Sequence, residues 1–488
     1  MADVFIRPSS GGPYGAADGS SYADAFAGFD ARLGIGDGDT VWIGGGTHVD
    51  DFLLAVGDSG SSDANRITWR GDASTFDSSY EDGILAAEAG TVALYFNGCS
   101  YITVKNLVMT NARTTAGIFY NGTTAGIIID NIDLTFTENV RGIYMLGTGH
   151  TDWQINNCTV NNNAVTPGNT QSVYIWGNNA TAGTTGQILN LTCNGLATFT
   201  NTNSNHVGLH IDDWNGLPIE GYKCTNMFAG VRLTNSDSNT FLRPTITGCG
   251  LGLKSDASGG GFGFNVETSS ASNKVYAARL EDNYQHYVDS TASGGNNELH
   301  GSLLINALVN SISYTANSNS TGLFYNNVII HNPTDVEGHG MVVQSGGVVT
   351  KAKFINNIVI CGTTGTNIQC VAVGGTTGTN YQDVDFTTNA YYVTNGAIVG
   401  KLGITEYAIL SAWSVAANAD ARITETTVID SDPLLTSSYK LSESSPCVGA
   451  GTTGLITNQD TYDQPIPSFG GVDIGNQSSN GPFHPVNL

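Results

Sequence analysis

Three residues able to do acid–base or anion chemistry, His210, Arg232 and Lys254, recur 22 positions apart in the middle of the chain. Each stands third in a similar phrase: Gly208-Leu209-His210-Ile211-Asp212, Gly230-Val231-Arg232-Leu233-Thr234 and Gly252-Leu253-Lys254-Ser255-Asp256. Apolar and variable positions alternate within each phrase, as in a short strand with one face in and one out. The apolar set Leu209, Ile211, Val231, Leu233 and Leu253 is therefore expected inside, and the three basic residues in one exposed outward column. Rungs of stacked strands lie about 4.8 Å apart, close to the repeat of a sugar chain, so such a column can follow a polyanionic polymer. In an elimination, Arg232 or Lys254 would neutralise a uronate carboxylate while His210 removes the neighbouring proton. The next outward position reads Leu146, Trp176, Asp212, Thr234 and Asp256. Asp212 and Asp256 would stand about 10 Å apart, two rungs, near the upper end for an inverting hydrolase pair, and Asp213 is a third acidic candidate. Upstream the same columns hold Phe119, Tyr144, Tyr174 and Trp176, rings expected to lie flat against sugar faces. The candidate catalytic set is thus His210, Arg232, Lys254, Asp212 and Asp256, and the candidate substrate-binding set Tyr144, Tyr174, Trp176 and Asp213. The alternative is a solvated or subunit-facing surface.

A fixed period of this size marks a solenoid, in which each repeat buries its apolar face against its neighbours. Gly117-Ile118-Phe119, Gly142-Ile143-Tyr144, Ser172-Val173-Tyr174 and Gly340-Met341-Val342 share the phase. A second strand in each repeat ends at an asparagine: Asn106, Asn131 and Asn157, then Asn326-Asn327 and Asn356-Asn357. Asparagine tolerates the left-handed corner conformation, and stacked amides hydrogen-bond from rung to rung, so these residues are expected to be scaffold. Glycine takes 62 of 488 positions and charged residues only 12 %, which leaves little room for long amphipathic helices. The expected fold is an all-β, right-handed parallel β-helix of roughly a dozen coils. Its expected parts are an N-terminal cap over 1–39, the solenoid over 40–375, and C-terminal coils with a cap and short helix over 376–488.

The net charge of −24 repels nucleic acid and anionic membranes, so neither is an expected partner. Eight cysteines without close pairing point to buried thiols, Cys158, Cys193 and Cys224 among them, and to no zinc site. The acidic pairs Asp37/Asp39 and Asp50/Asp51 read as turn residues, and no cofactor is expected. The first residues, Met1-Ala2-Asp3-Val4-Phe5-Ile6-Arg7, lack the charged-then-apolar pattern of a leader, which suits a virion-borne protein or one whose leader has been replaced.

The two ends carry a family resemblance. Ser21-Tyr22-Ala23-Asp24-Ala25-Phe26, Gly36-Asp37-Gly38-Asp39-Thr40-Val41-Trp42-Ile43 and Ile67-Thr68-Trp69-Arg70-Gly71 open the chain. Asp432-Pro433-Leu434-Leu435, Ser445-Pro446-Cys447 and Asp473-Ile474-Gly475 close it. Together they resemble the pectate-lyase-like parallel β-helix superfamily, whose N-terminal capping helix and closing segment they echo. The resemblance implies polysaccharide lyases, glycoside hydrolases, epimerases and bacteriophage spikes or decorations as the range of functions. It implies a glycan or host-surface polysaccharide as partner, virion proteins or a second copy as further partners, and a virion or extracellular location. The asparagine-glycine-glycine-glutamate phrase of the calcium-binding lyases is missing. Gly338-His339-Gly340 and Asp212-Asp213 fall too far apart to form the polygalacturonase-like pairing. Two readings follow: a virion-surface protein that binds host glycan, with or without depolymerising it, and a secreted lyase or hydrolase of acidic polysaccharide.

Overall fold

The structure, a computed structural model, describes residues 2–451 apart from 31–33, 87–91, 111–114, 138–139, 148, 165–169, 178–181, 184, 197–205, 251–260, 292–294, 316–320, 334–337, 345–349, 363–367, 375–380, 427–428 and 443. Leu253, Lys254 and Asp256 fall outside the described residues, as does Asp473-Ile474-Gly475. The chain folds as a right-handed parallel β-helix. It packs as two compact units, Met1–Thr240 with Cys249–Gly261, and Phe241–Gly248 with Phe262–Leu488.

In the first unit, strands Val92–Asn97, Ala116–Asn121, Arg141–Leu146, Gln171–Trp176, Val207–Asp212 and Ala229–Thr234 pair in parallel, one per coil. The expected register holds: Tyr144 pairs with Tyr174, Tyr174 with His210 and His210 with Arg232. Leu209, Ile211, Val231 and Leu233 are fully buried. The glycine that opens each phrase sits where the strand turns against the interior. A Cβ on Gly142 would stand 2.4 Å from the Ser172 carbonyl and 2.6 Å from a Val160 methyl, and one on Gly208 2.4 Å from the Tyr222 hydroxyl. The second sheet of the unit holds the corner asparagines, all left-handed, with φ of 53° at Asn106 and Asn131 and 51° at Asn157. Asn131 donates to Asn106 Oδ1 at 2.9 Å and Asn190 to Asn157 Oδ1 at 3.0 Å. Between these pairs the ladder changes partner, because Asn157 donates to Asp130 Oδ1 at 2.9 Å in place of Asn131.

In the second unit, strands Phe262–Thr268, Gln285–Thr291, Asn310–Tyr314, Gly338–Val343, Ile368–Val373 and Ile398–Leu402 stack in the same way. Its interior holds a second amide ladder. Asn357 Oδ1 accepts from the Asn327 backbone N–H and amide, both at 3.0 Å, and Asn389 Oδ1 does the same for Asn357 at 2.9 and 3.0 Å. An α-helix, Leu410–Ala419, seats Trp413 with its indole N–H on Glu425 at 2.7 Å. The N-terminal capping helix is replaced among the described residues by a strand, Asp3–Arg7, paired in parallel with Thr40–Ile43. The reason is local: Asp24 spends its carboxylate on the Ala16 N–H and the Ser21 hydroxyl, at 2.8 Å each, which closes turns where a helix would continue.

The described cysteines are buried thiols outside any disulfide, as expected of small hydrophobes, and Cys193 pairs in register with Cys224. Asp37 and Asp39 serve backbone N–H groups, of Ser61 at 2.9 Å and of Ala2 and Gly36 at 2.6 and 3.0 Å, and so act as turn residues.

Candidate functional site

The first unit's phrase strands put one side chain per coil on an outward column, and five successive members are rings. Tyr95 stacks on Phe119 at 5.3 Å, Phe119 on Tyr144 at 5.1 Å, Tyr144 on Tyr174 at 5.4 Å and Tyr174 on His210 at 4.7 Å, with interplanar angles of 20° or less. Centroid spacing tracks the rung spacing because strand register, not ring attraction, sets the repeat. The stack has a consequence the residue types conceal: each ring's faces are taken up by its neighbours. Tyr144 is 6 % exposed and Tyr174 9 %, so neither lays a face open to a sugar. Both pack in an apolar cluster with Ala116, against which Phe119, Leu146 and Trp176 lie partly exposed. Trp176, parallel to Tyr174 at 6.4 Å in the neighbouring column, is the ring with area to offer.

His210 is the main correction. It lies in the expected column, yet only 8 % of it is exposed, because Tyr174 covers one face and Arg232 occupies the next rung. Burial, then the charges of Arg232 and Arg141, lower its pKa to about 3, so the imidazole is neutral at pH 7. Nε2 shares a hydrogen bond with Thr234 Oγ1 at 3.2 Å, and Nδ1 is sealed from solvent. A base must reach its proton and hold it, and His210 is placed for neither. Asp212, half-buried in the neighbouring column, accepts the Tyr174 hydroxyl at 3.0 Å. Burial followed by that carboxylate raises the phenol, which keeps it a donor. Asp213 takes a left-handed corner, φ 55°, so its side chain leaves the strand's alternation.

Arg141 is the residue that reading the phrases from their glycine missed. It stands immediately before Gly142, at the position filled by Ala116 one coil earlier. Its guanidinium lies 4.2 Å from the Tyr144 ring centroid and 4.9 Å from that of Tyr174, and Nε donates to Gln171 Oε1 at 3.1 Å. No carboxylate pairs with it among the described residues, in a chain with 42 acidic and 18 basic residues. Preorganised on two rings and an amide, such a guanidinium suits bidentate capture of a carboxylate or sulfate. Among the described residues no three His, Cys, Asp or Glu side chains converge on a metal position.

No family model and no curated protein matches the sequence. Solved structures do match. XylC in complex with xylose aligns with a TM-score of 0.51 at 10 % identity, covering 97 % of this chain and 98 % of that one. Pectate lyase Pel9A aligns with a TM-score of 0.43 at 14 % identity, over 98 % and 97 %. The A-module of the Azotobacter vinelandii mannuronan C-5 epimerase AlgE6 aligns with a TM-score of 0.42 at 11 % identity, over 81 % and 91 %. The likeness to XylC, over nearly the whole of both chains, is one of fold, a parallel β-helix. Identity this low carries the fold and not the chemistry, so the parallel β-helix supplies the scaffold on which Arg141, Trp176 and Asp212 must be judged by their own geometry.

Proposed function

We propose that the ring face of the first unit binds an acidic glycan and serves in its depolymerisation. The observation that carries this reading is the Arg141 guanidinium, held over Tyr144 and Tyr174 by Gln171. Around it Trp176 offers an apolar surface to a pyranose ring, and Asp212 stands at the same rung as His210's strand end to take or give a proton. XylC, the similar fold, was solved with a sugar, which supports a glycan as the ligand class. For cleavage, the burial of His210 favours a carboxylate-based reaction at Asp212 over an elimination that uses His210 as base. We place the protein outside the producing cell, on a virion surface or free in the medium, where such polymers are met.

The test is affinity electrophoresis and turnover on polygalacturonate and alginate, watched by unsaturated-product absorbance and by reducing ends. Arg141→Gln is expected to weaken retention by acidic polymers about tenfold to a hundredfold, the weight of a charge-assisted hydrogen-bond pair, with an unchanged melting curve. Retention that is absent in the unmodified protein, or equal in the variant, would sink the reading.

A further inference from the structure

The second unit carries an aromatic and charged cluster of its own. Strands Lys274–Tyr276, Glu298–His300 and Thr321–Tyr325 pair in register, which aligns Lys274, Glu298 and Leu323 in one outward column and Tyr276, His300 and Tyr325 in the next. Val275, Leu299 and Phe324, between them in sequence, are buried in the solenoid, so both columns face away from the core. Lys274 Nζ lies 3.7 Å from Glu298 Oε1, and burial and the Glu298 charge raise the Tyr276 phenol between them. His300 stands edge-to-face with both phenols, 5.7 Å from Tyr276 at 83° and 6.3 Å from Tyr325 at 75°. Asn326, at the left-handed corner, donates its amide to His300 Nε2 at 3.0 Å. With Nε2 accepting, the neutral ring carries its proton on Nδ1, for which no partner is found among the described residues.

Unlike Nδ1 of His48 and of His210, which are shut off from solvent without a partner, Nδ1 of His300 keeps access to the surface although the residue is only 7 % exposed, so its N–H can be donated outward to a ligand. The charges also say what kind of ligand fits. Lys274 and Glu298 compensate each other, so the cluster has no net attraction for an anion; it offers instead an ammonium and an imidazole N–H as donors, a carboxylate as acceptor and a phenol as both. Alternating donors and acceptors beside half-exposed rings match the hydroxyls and apolar face of an uncharged sugar.

We propose that Lys274, Tyr276, Glu298, His300 and Tyr325 form a second saccharide site, specific for a neutral sugar unit and independent of the acidic-glycan face in the other unit.

The experiment is a titration of the full chain, labelled at histidine, with xylohexaose and cellohexaose, following the imidazole signals by NMR. The His300 signal is assigned by its loss in His300→Gln. It is expected to shift saturably with at least one of the two, and the apparent affinity to fall about tenfold in Glu298→Gln and in Tyr276→Phe, the worth of one hydrogen bond to the sugar. Both are near-isosteric, and an unchanged melting curve shows that they fold. Trp176→Ala, in the first unit, should leave the titration as it was; this separates failure here from failure of the acidic-glycan reading. A His300 signal that moves with neither sugar, or moves equally in Glu298→Gln and Tyr276→Phe, overturns the proposal.

Discussion

Asp289 shows how much one residue can depart from what its type suggests. It lies on the inward side of Gln285–Thr291, fully buried, with its carboxylate accepting from Asn297 Nδ2 and Thr291 Oγ1 at 3.0 Å each. Burial raises its pKa from 3.8 to about 6 even though those donors pull the other way. The sign follows from linkage: an acid whose folded pKa exceeds the unfolded value binds more protons when folded. Its stabilising contribution is therefore full below about pH 4 and is lost as pH rises to about 6. Asp289→Asn does not titrate. The difference in unfolding free energy between variant and wild type should move in the variant's favour by up to about 3 kcal/mol across that interval, then level off. Urea titrations at pH 4, 5, 6 and 7 measure this, and a difference constant with pH would refute it. Nothing in the sequence marks Asp289, because whether a strand aspartate points in depends on register across coils, which Tyr287, also buried on that strand, shares.

At the scale of elements, the two asparagine ladders have the same chemistry and different weight. The outer one, from Asn106 to Asn131, faces solvent, where water replaces a lost amide bond. In the inner one Asn357 accepts two hydrogen bonds from Asn327 and donates to the Phe324 carbonyl and to Asn389 Oδ1, all buried. Asn357→Ala strands donors and acceptors on three coils and is expected to cost about 2–4 kcal/mol. Asn131→Gly, which keeps the left-handed corner, should cost under about 1 kcal/mol. Equal urea midpoints for the two variants would contradict the distinction. This is also where the limits of reading the chain from its residues show. Period and alternation reveal the coils, the inward set Leu209, Ile211, Val231 and Leu233, and the shared column of Tyr144, Tyr174, His210 and Arg232, because each depends on spacing alone. They do not reveal that stacking buries Tyr144, Tyr174 and His210, since burial of an outward residue depends on the bulk of its neighbours on the rungs above and below. Arg141 was legible in principle: it is the cation at a position otherwise filled by Ala116, Gln171, Val207 and Ala229.

Across the whole molecule, histidine governs the response to acid. His48, His150, His206, His210, His286, His300 and His331 are all buried, and burial is the first cause of a lowered pKa in each. For His206 and His300 it falls to about 4, and for His210, His286 and His331 to about 3. Unfolding frees these rings to take up protons below about pH 6.5, so each contributes stability that is present above that pH and is lost as pH falls toward 3–4, at up to about 1.4 kcal/mol per pH unit. Two effects oppose this. Asp289 gains as pH falls, and the net charge of −24 shrinks toward the pI near 4.4, which relieves self-repulsion. Of the carboxyls that burial raises, Asp289 and the partly buried Asp51 stand against five histidines with shifts comparable to that of Asp289. The second acts between surface charges and is screened by salt, whereas protonation of buried rings is not. The expected outcome is a thermal midpoint nearly flat from pH 8 to 6.5 that falls steeply from 6.5 to 4.5, more clearly at 0.5 M salt, about 4 Å of Debye length, than at low ionic strength. Calorimetry in buffers of different ionisation enthalpy at pH 5 should show net proton uptake on unfolding. Proton release at that pH would mean that the carboxylates, not the buried imidazoles, control the acid limb.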